Sequence, residues 1–218
     1  MRNLAIKKKL NQKRLYLISP PELKWPYFFN TIKRLLSCKI ISVLQLRFKN
    51  ENDDLIKYAA KKLLPVCHRS NVALIINDRP DLVLETQSDG VHIGQADMPC
   101  LEVRKMLGKN ALIGVSCRDS LDLASRAVKQ GANYVAFGAF FPTKTKEETG
   151  KPNLKLLKDW KNKYTIPTVA IGGINAKNSI SLINSGADFV AVMSSIWGDS
   201  RDPQDKLETF KKSFSKNL

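Results

Sequence analysis

The chain has 218 residues, 43% hydrophobic and 26% charged, and 36 Lys and Arg against 20 Asp and Glu give a formal net charge of +16. This composition belongs to a folded chain with a sizeable core and excludes a disordered one, while the charge raises nucleic acid, a membrane surface or anionic small molecules as partners. No apolar run reaches the ~18 residues of a membrane span, and Cys38, Cys67, Cys100 and Cys117 form no C-x-x-C pair, which excludes a zinc or dithiol motif and fits a reduced, cytoplasmic protein.

Residues 1–14 carry Arg2, Lys7, Lys8, Lys9, Lys13 and Arg14 without an acid. The segment is too polar for a signal peptide and reads as a solvated basic arm, with a nucleic-acid tail as the alternative. From residue 15 to 218, short β-branched runs alternate with helical patterns. The predicted strands are Leu15–Ser19, Val43–Phe48, Val72–Asn77, Gly90–Gly94, Ala111–Ser116, Tyr134–Gly138, Thr168–Gly172 and Phe189–Ser194. Helical periodicity covers Leu55–Leu64, Ser120–Lys129, Leu154–Trp160 and Lys177–Asn184, with Gly131 and Gly186 placed to end two of these helices. A last amphipathic helix, Pro203 to Phe214, is opened by Asp202 or Pro203.

Eight strands, each followed by a helix or a turn, predict a single (β/α)8 TIM barrel over residues 15–218. A doubly wound sheet is the rival, but the first strand runs into Ser19-Pro20-Pro21 instead of a G-x-G-x-x-G turn.

In such a barrel the chemistry belongs at the C-terminal ends of the strands. On the second strand, period two sets Gln45, Arg47 and Lys49 on one face and Leu44, Leu46 and Phe48 on the other, so the polar face points inward. An inward arginine needs an anion: an internal salt bridge is one solution, and a diphosphate substrate is another. The next two strands end in Asn77-Asp78 and Gly94-Gln95-Ala96-Asp97. With neighbouring strands ~4.8 Å apart, Asp78 and Asp97 can share one Mg²⁺ with substrate phosphates, or each can cap the helix that Pro80 or Pro99 announces.

Across the ring lie Thr143-Lys144-Thr145-Lys146 after the sixth strand, Gly172-Gly173 after the seventh and Met193-Ser194-Ser195 after the eighth. Hydroxyls, ammonium groups and backbone N–H groups converging there suit a phosphate, although each alone is also an ordinary loop, turn or cap. The sequence contains no nucleophile elbow and no Walker loop, and only two histidines. His68 reads as a surface or packing residue, and His92, inside the fourth strand, as a hydrogen-bonded structural imidazole. This inventory suits displacement of a diphosphate by a nucleophile that already has a free lone pair.

Gln45-Leu46-Arg47-Phe48-Lys49, Asn77-Asp78-Arg79, Gly90 to Asp97 (GVHIGQAD), Thr143 to Lys146 and Gly172-Gly173-Ile174 together resemble the thiamine-phosphate synthase family, in order over residues 15–197. The resemblance implies a barrel that condenses a hydroxymethylpyrimidine diphosphate with a thiazole phosphate, or its carboxylated form, releasing diphosphate first and forming thiamine phosphate. It implies that Gln45, Arg47, Lys49, Asn77 and Lys146 hold the pyrimidine diphosphate, that Asp78 and Asp97 bind Mg²⁺, and that Ser116 contacts the pyrimidine. Thr143, Lys144, Thr145, Gly173, Met193 and Ser194 would cradle the thiazole phosphate. Arg47, Lys49, Lys146 and Ser116 are the residues it places closest to the reaction. The chain departs from the family at Cys117-Arg118, where a histidine usually follows two residues after the serine. Arg118 adds a positive charge near the diphosphate instead.

The expected partners are therefore small phosphorylated molecules and not nucleic acid or a membrane, and a homo-oligomer is compatible with the barrel. The alternatives are a thiazole tautomerase-like isomerase on the same scaffold, which has no use for the aspartate pair or the Gln-Arg-Lys strand, and a basic nucleic-acid-binding protein.

Overall fold

The short apolar runs pair side by side in chain order. A computed structural model describes residues 14–48, 51–143 and 150–217. In it β1 (Leu15–Ile18), β2 (Ile41–Leu46), β3 (Ala73–Asn77), β4 (Gly90–Ile93), β5 (Leu112–Ser116), β6 (Tyr134–Phe137), β7 (Thr168–Ile171) and β8 (Phe189–Val192) form a closed barrel. Every pairing is parallel, and β8 returns to β1 through Leu15↔Val190. The helices between them are α1 (Tyr27–Leu36), α2 (Asp53–Arg69), α3 (Pro80–Thr86), α4 (Cys100–Leu107), α5 (Leu121–Lys129), α6 (Leu154–Lys163), α7 (Ser179–Asn184), α8 (Ser194–Trp197) and α9 (Pro203–Asn217). This is the predicted (β/α)8 barrel.

Helix starts follow side-chain chemistry. Asn52, Ser120 and Asn153 accept from Leu55, Leu123 and Leu156 N–H at 2.8, 3.2 and 3.3 Å, each satisfying a donor the first helical turn leaves open. Asp202 Oδ1 accepts from Gln204 N at 2.7 Å with Pro203 at the first helical position, so both residues named as the opening of α9 act in it. Gly131 and Gly186 sit just past α5 and α7 at φ of 97° and 110°, as the helix-stop reading expected.

Most element ends differ from the sequence reading by one to three residues, and three differences have a visible cause. β2 runs from Ile41 to Leu46, not Val43 to Phe48. Buried Ile41 pairs with Leu15, and beyond Leu46 the chain leaves the ladder because Arg47 N donates to Ser19 Oγ at 2.9 Å. α2 continues past Leu64 through Pro65 to Arg69. Pro65 forgoes one hydrogen bond, while fully buried Cys67 keeps the last turn packed on the sheet. α1 was not predicted at all. It follows Pro26 without a side-chain cap and is held by its buried face, Phe28, Ile32, Leu35 and Leu36.

Two cores result. Leu44, Leu46 and Phe48 join the layer between strands and helices, whose largest fully buried side chain is Trp160. Burying such side chains contributes roughly 1.5–3 kcal/mol each. The barrel interior holds a second cluster, Tyr16, Ile18, Tyr134, Ala136, Val169, Phe189 and Ala191. Gln45, 3% exposed, points away from its outward neighbours, as the alternation along β2 requires. Among the described residues no helix is long and apolar enough to cross a membrane.

Candidate active site

The C-terminal ends of the strands open on a cavity of about 370 Å³, within the range of small-molecule sites. On the β2–β4 side its wall is a chain of amides and carboxylates. Gln45 Nε2 donates to Asn77 Oδ1 at 2.5 Å, and Asn77 Nδ2 donates to Asp78 Oδ2 at 2.6 Å. Asp78 is itself in the left-handed region (φ 60°), and its N–H donates to His92 O at 2.8 Å. The next residue locks this turn. The Arg79 guanidinium takes both Asp53 oxygens at 2.7 Å and also bonds Asp81, bridging the starts of α2 and α3.

Arg47 lines the same wall. Among the described residues its guanidinium has no hydrogen-bond partner and no ion pair, so the internal salt bridge considered for it does not form. Burial pulls its pKa below the usual guanidinium value, opposed by the charge of Asp78, yet an arginine stays protonated in this range. A partly desolvated cation without a bonded partner is a receptor for an anion.

Asp97 Oδ2 accepts Gly94 N–H at 2.7 Å, and neither Asp78 nor Asp97 caps a helix: Arg79 and Pro99 occupy the N-cap positions of α3 and α4 without side-chain caps. The capping alternative for the two aspartates is thereby excluded. Both line the cavity, and among the described residues no group of three His, Cys, Asp or Glu is gathered to hold a metal. A pair of hard oxygen donors beside an anion receptor fits Mg²⁺, which keeps waters and takes substrate phosphates as ligands. It does not fit zinc, which needs a fuller protein set.

At the floor, Ser116 and His92 meet: Ser116 Oγ lies 2.9 Å from His92 Nε2, and Tyr134 OH lies 3.1 Å from His92 Nδ1. The imidazole is hydrogen-bonded on both nitrogens, as its structural reading expected. Gln95, quoted in the sequence motif but given no role there, donates from Nε2 to Ser116 O at 2.6 Å and lines the cavity. Its position between Gly94 and Asp97, just past β4, was the available signal.

The opposite wall comes from the last three strands. Gly172 and Gly173 adopt φ of 103° and 59°, and a Cβ on Gly173 would lie 2.4 Å from Pro142 O, so only glycine lets these loops approach. Met193 and Ser194 line the cavity beside them, with Met193, not a serine, at the N-cap of α8. Thr143 and Arg118 also line it, Arg118 at φ 54°. Lys49, Lys144, Thr145 and Lys146 lie outside the described residues, as do residues 1–13 of the basic arm. Arg14, the last residue of that arm, accepts Val190 N–H on its carbonyl at 2.9 Å.

The four cysteines are free and buried. Burial pushes the thiol of Cys38 up to about 11 and those of Cys67 and Cys117 up to about 12, which removes them as thiolate nucleophiles.

Comparison with known proteins adds an independent line. The family model described as thiamine monophosphate synthase matches residues 15–196. The thiamine-phosphate synthase of Rhodospirillum centenum is 42% identical over 197 residues, covering 90% of this chain and 95% of that protein. That of Pelagibacter ubique is 40% identical over 193 residues, covering 88% and 93%. Among solved structures, a thiamine phosphate pyrophosphorylase from Pyrococcus furiosus superposes with a TM-score of 0.83 at 30% identity, covering 96% of this chain and 98% of that one.

Proposed function

The chain belongs to the thiamine monophosphate synthase family and is a transferase of thiamine biosynthesis, and we propose that its barrel mouth joins a hydroxymethylpyrimidine diphosphate to a thiazole phosphate in a Mg²⁺-dependent reaction. The observation that carries this reading is Arg47, a partly buried guanidinium with no bonded partner among the described residues, facing the cavity that Asp78 and Asp97 also line. Arg47, Gln45 and Asn77, with Lys49 and Lys146, hold the diphosphate on one wall. Asp78 and Asp97 hold Mg²⁺, which when bound neutralises diphosphate charge. Thr143, Lys144, Thr145, Gly173, Met193 and Ser194 hold the thiazole phosphate on the other wall.

The bond between the pyrimidine methylene and the diphosphate oxygen breaks first, its electron pair leaving with the diphosphate. The thiazole nitrogen then forms the new C–N bond with its own lone pair. No proton has to be removed from the nucleophile, which agrees with a site whose imidazole is already engaged on both nitrogens. The chain's part is to hold the two phosphorylated ends apart at a fixed spacing and to stabilise the departing charge. An isomerase acting on the thiazole alone would leave Arg47 and the aspartate pair without a task. The placement of basic residues around a concave mouth favours small anions over nucleic acid.

The metal assignment is tested with Asp78→Asn and Asp97→Asn. Each is expected to lower diphosphate release by about 10²-fold and to raise the Mg²⁺ concentration needed for half-maximal rate. Variants with unaltered turnover and unaltered Mg²⁺ dependence remove the two aspartates from the metal site.

A further inference from the structure

A line of hydrogen bonds runs through the barrel interior from a closed end to the cavity. Tyr16 OH lies 2.9 Å from Tyr134 OH, Tyr134 OH lies 3.1 Å from His92 Nδ1, and His92 Nε2 lies 2.9 Å from Ser116 Oγ. The rings are packed against one another, Tyr134 on His92 with centroids 5.6 Å apart and 27° between planes, Tyr16 edge-on to His92 at 6.4 Å. Tyr16 is 2% exposed, and among the described residues Tyr134 is the only hydrogen-bond partner of its hydroxyl. Tyr16 and Tyr134 do not line the cavity, whereas His92 and Ser116 both do, and the Ser116 hydroxyl is the end of the line.

The closed end fixes the direction. A buried hydroxyl hydrogen without an acceptor costs far more than an unused oxygen lone pair, so Tyr16 donates to Tyr134 and does not receive from it. Tyr134 has then accepted on its oxygen, and its own hydrogen goes to His92 Nδ1. A neutral imidazole that accepts at Nδ1 carries its proton on Nε2, so Nε2–H donates to Ser116 Oγ. The Ser116 hydrogen is thereby turned away from His92 and towards the cavity. Had the line run the other way, Ser116 would face the cavity with a lone pair.

We propose that Tyr16, Tyr134 and His92 form a one-way hydrogen-bond relay that makes Ser116 a hydrogen-bond donor to the bound substrate, selecting a ring that presents an in-plane nitrogen acceptor and rejecting one that presents N–H at that position. This rests on the reading that the pyrimidine lies against Ser116. Tyr16, Tyr134 and His92 are positioning residues, because they act on the substrate through Ser116; His92 also lines the cavity, but both of its ring nitrogens are engaged within the line.

The relay makes one statement that does not depend on turnover: His92 is the Nε2–H tautomer. Nitrogen-15 NMR of the full chain labelled at histidine reads this directly, and with only two histidines present His68→Gln assigns the signals. The expected result is a protonated Nε2 and an unprotonated Nδ1, with the Nδ1–H form appearing in Tyr134→Phe, where the donor to Nδ1 is lost. In steady-state assays Tyr16→Phe is expected to lower kcat/KM for the pyrimidine diphosphate about tenfold while the KM for the thiazole phosphate stays unchanged. An Nδ1–H tautomer in the parent chain overturns the relay. An Nε2–H tautomer in a folded chain that makes no thiamine phosphate leaves the relay standing and contradicts the proposed function instead.

Discussion

Tyr134 occupies the space that a side chain on Gly114 would need. A Cβ built on Gly114 falls 1.9 Å from Tyr134 Cζ and 2.3 Å from its hydroxyl oxygen, although the two residues are register partners on neighbouring strands. The phenol therefore crosses β5 to reach His92 only because position 114 has no side chain. Gly114→Ala is expected to push the ring aside at a cost of about 1–3 kcal/mol and to lower thiamine phosphate formation along with it. Urea unfolding and product assays on the same preparation check both. A variant as stable and as active as the parent shows that the interior tolerates a displaced Tyr134.

The Arg79 guanidinium holds the carboxyls of Asp53 and Asp81 below the usual carboxylate range. A depressed pKa in the folded state contributes stability that is present above the unfolded value and lost as the pH falls through the folded one. The contribution of these two pairs is thus complete at neutral pH and is lost progressively as the pH falls below about 4. Arg79→Gln is expected to flatten the acid limb of a stability-against-pH curve while leaving its shape between pH 6 and 8 unchanged. An acid limb equally steep in both proteins shows that other carboxylates set it.

Lys206 is a buried amine on α9 whose charge is spent on one neighbour. Its Nζ donates to Ile196 O and Asp199 O at 3.0 and 3.1 Å and pairs with Asp199 Oδ1 at 2.8 Å, closing the C-terminal end of α8, while Trp197 Nε1 donates to Ile18 O at 2.8 Å. The same four-residue helix offers Ser194 to the cavity at its other end. Lys206→Met leaves two carbonyls without their donor, which is expected to destabilise the fold by about 1–3 kcal/mol and to raise the KM for the thiazole phosphate but not for the pyrimidine diphosphate. Thermal unfolding and separate substrate titrations distinguish this from a general loss of structure, in which both KM values would move.

The barrel was legible because its strands are short, apolar and separated by glycine and helix-cap residues, signals that each act within a few positions. What escaped the sequence depends on distance. α1 is held by its buried face against the sheet and not by a cap, so nothing local marks its start. β2 shifts by two residues because an irregularity in its pairing with Leu15 and Tyr16, and the Ser19 hydroxyl, decide where the ladder begins and ends. On the site, the inward face of β2 and the two strand-end aspartates followed from period two and barrel geometry. The line from Tyr16 to Ser116 did not, since its first link joins Tyr16 to Tyr134, 118 apart in sequence, which meet only when the barrel closes. His92 read alone is a buried imidazole, and its consequence for Ser116 exists only in three dimensions.

The most direct test supplies the purified chain with hydroxymethylpyrimidine diphosphate, thiazole phosphate and Mg²⁺, and measures thiamine phosphate and diphosphate separately. The expected result is that both appear in equal amounts, that omitting either substrate or chelating the metal stops thiamine phosphate formation, and that Arg47→Ala lowers the rate by about 10²-fold or more. Folded protein that forms no thiamine phosphate under these conditions, or forms it at an unchanged rate without Arg47, contradicts the account.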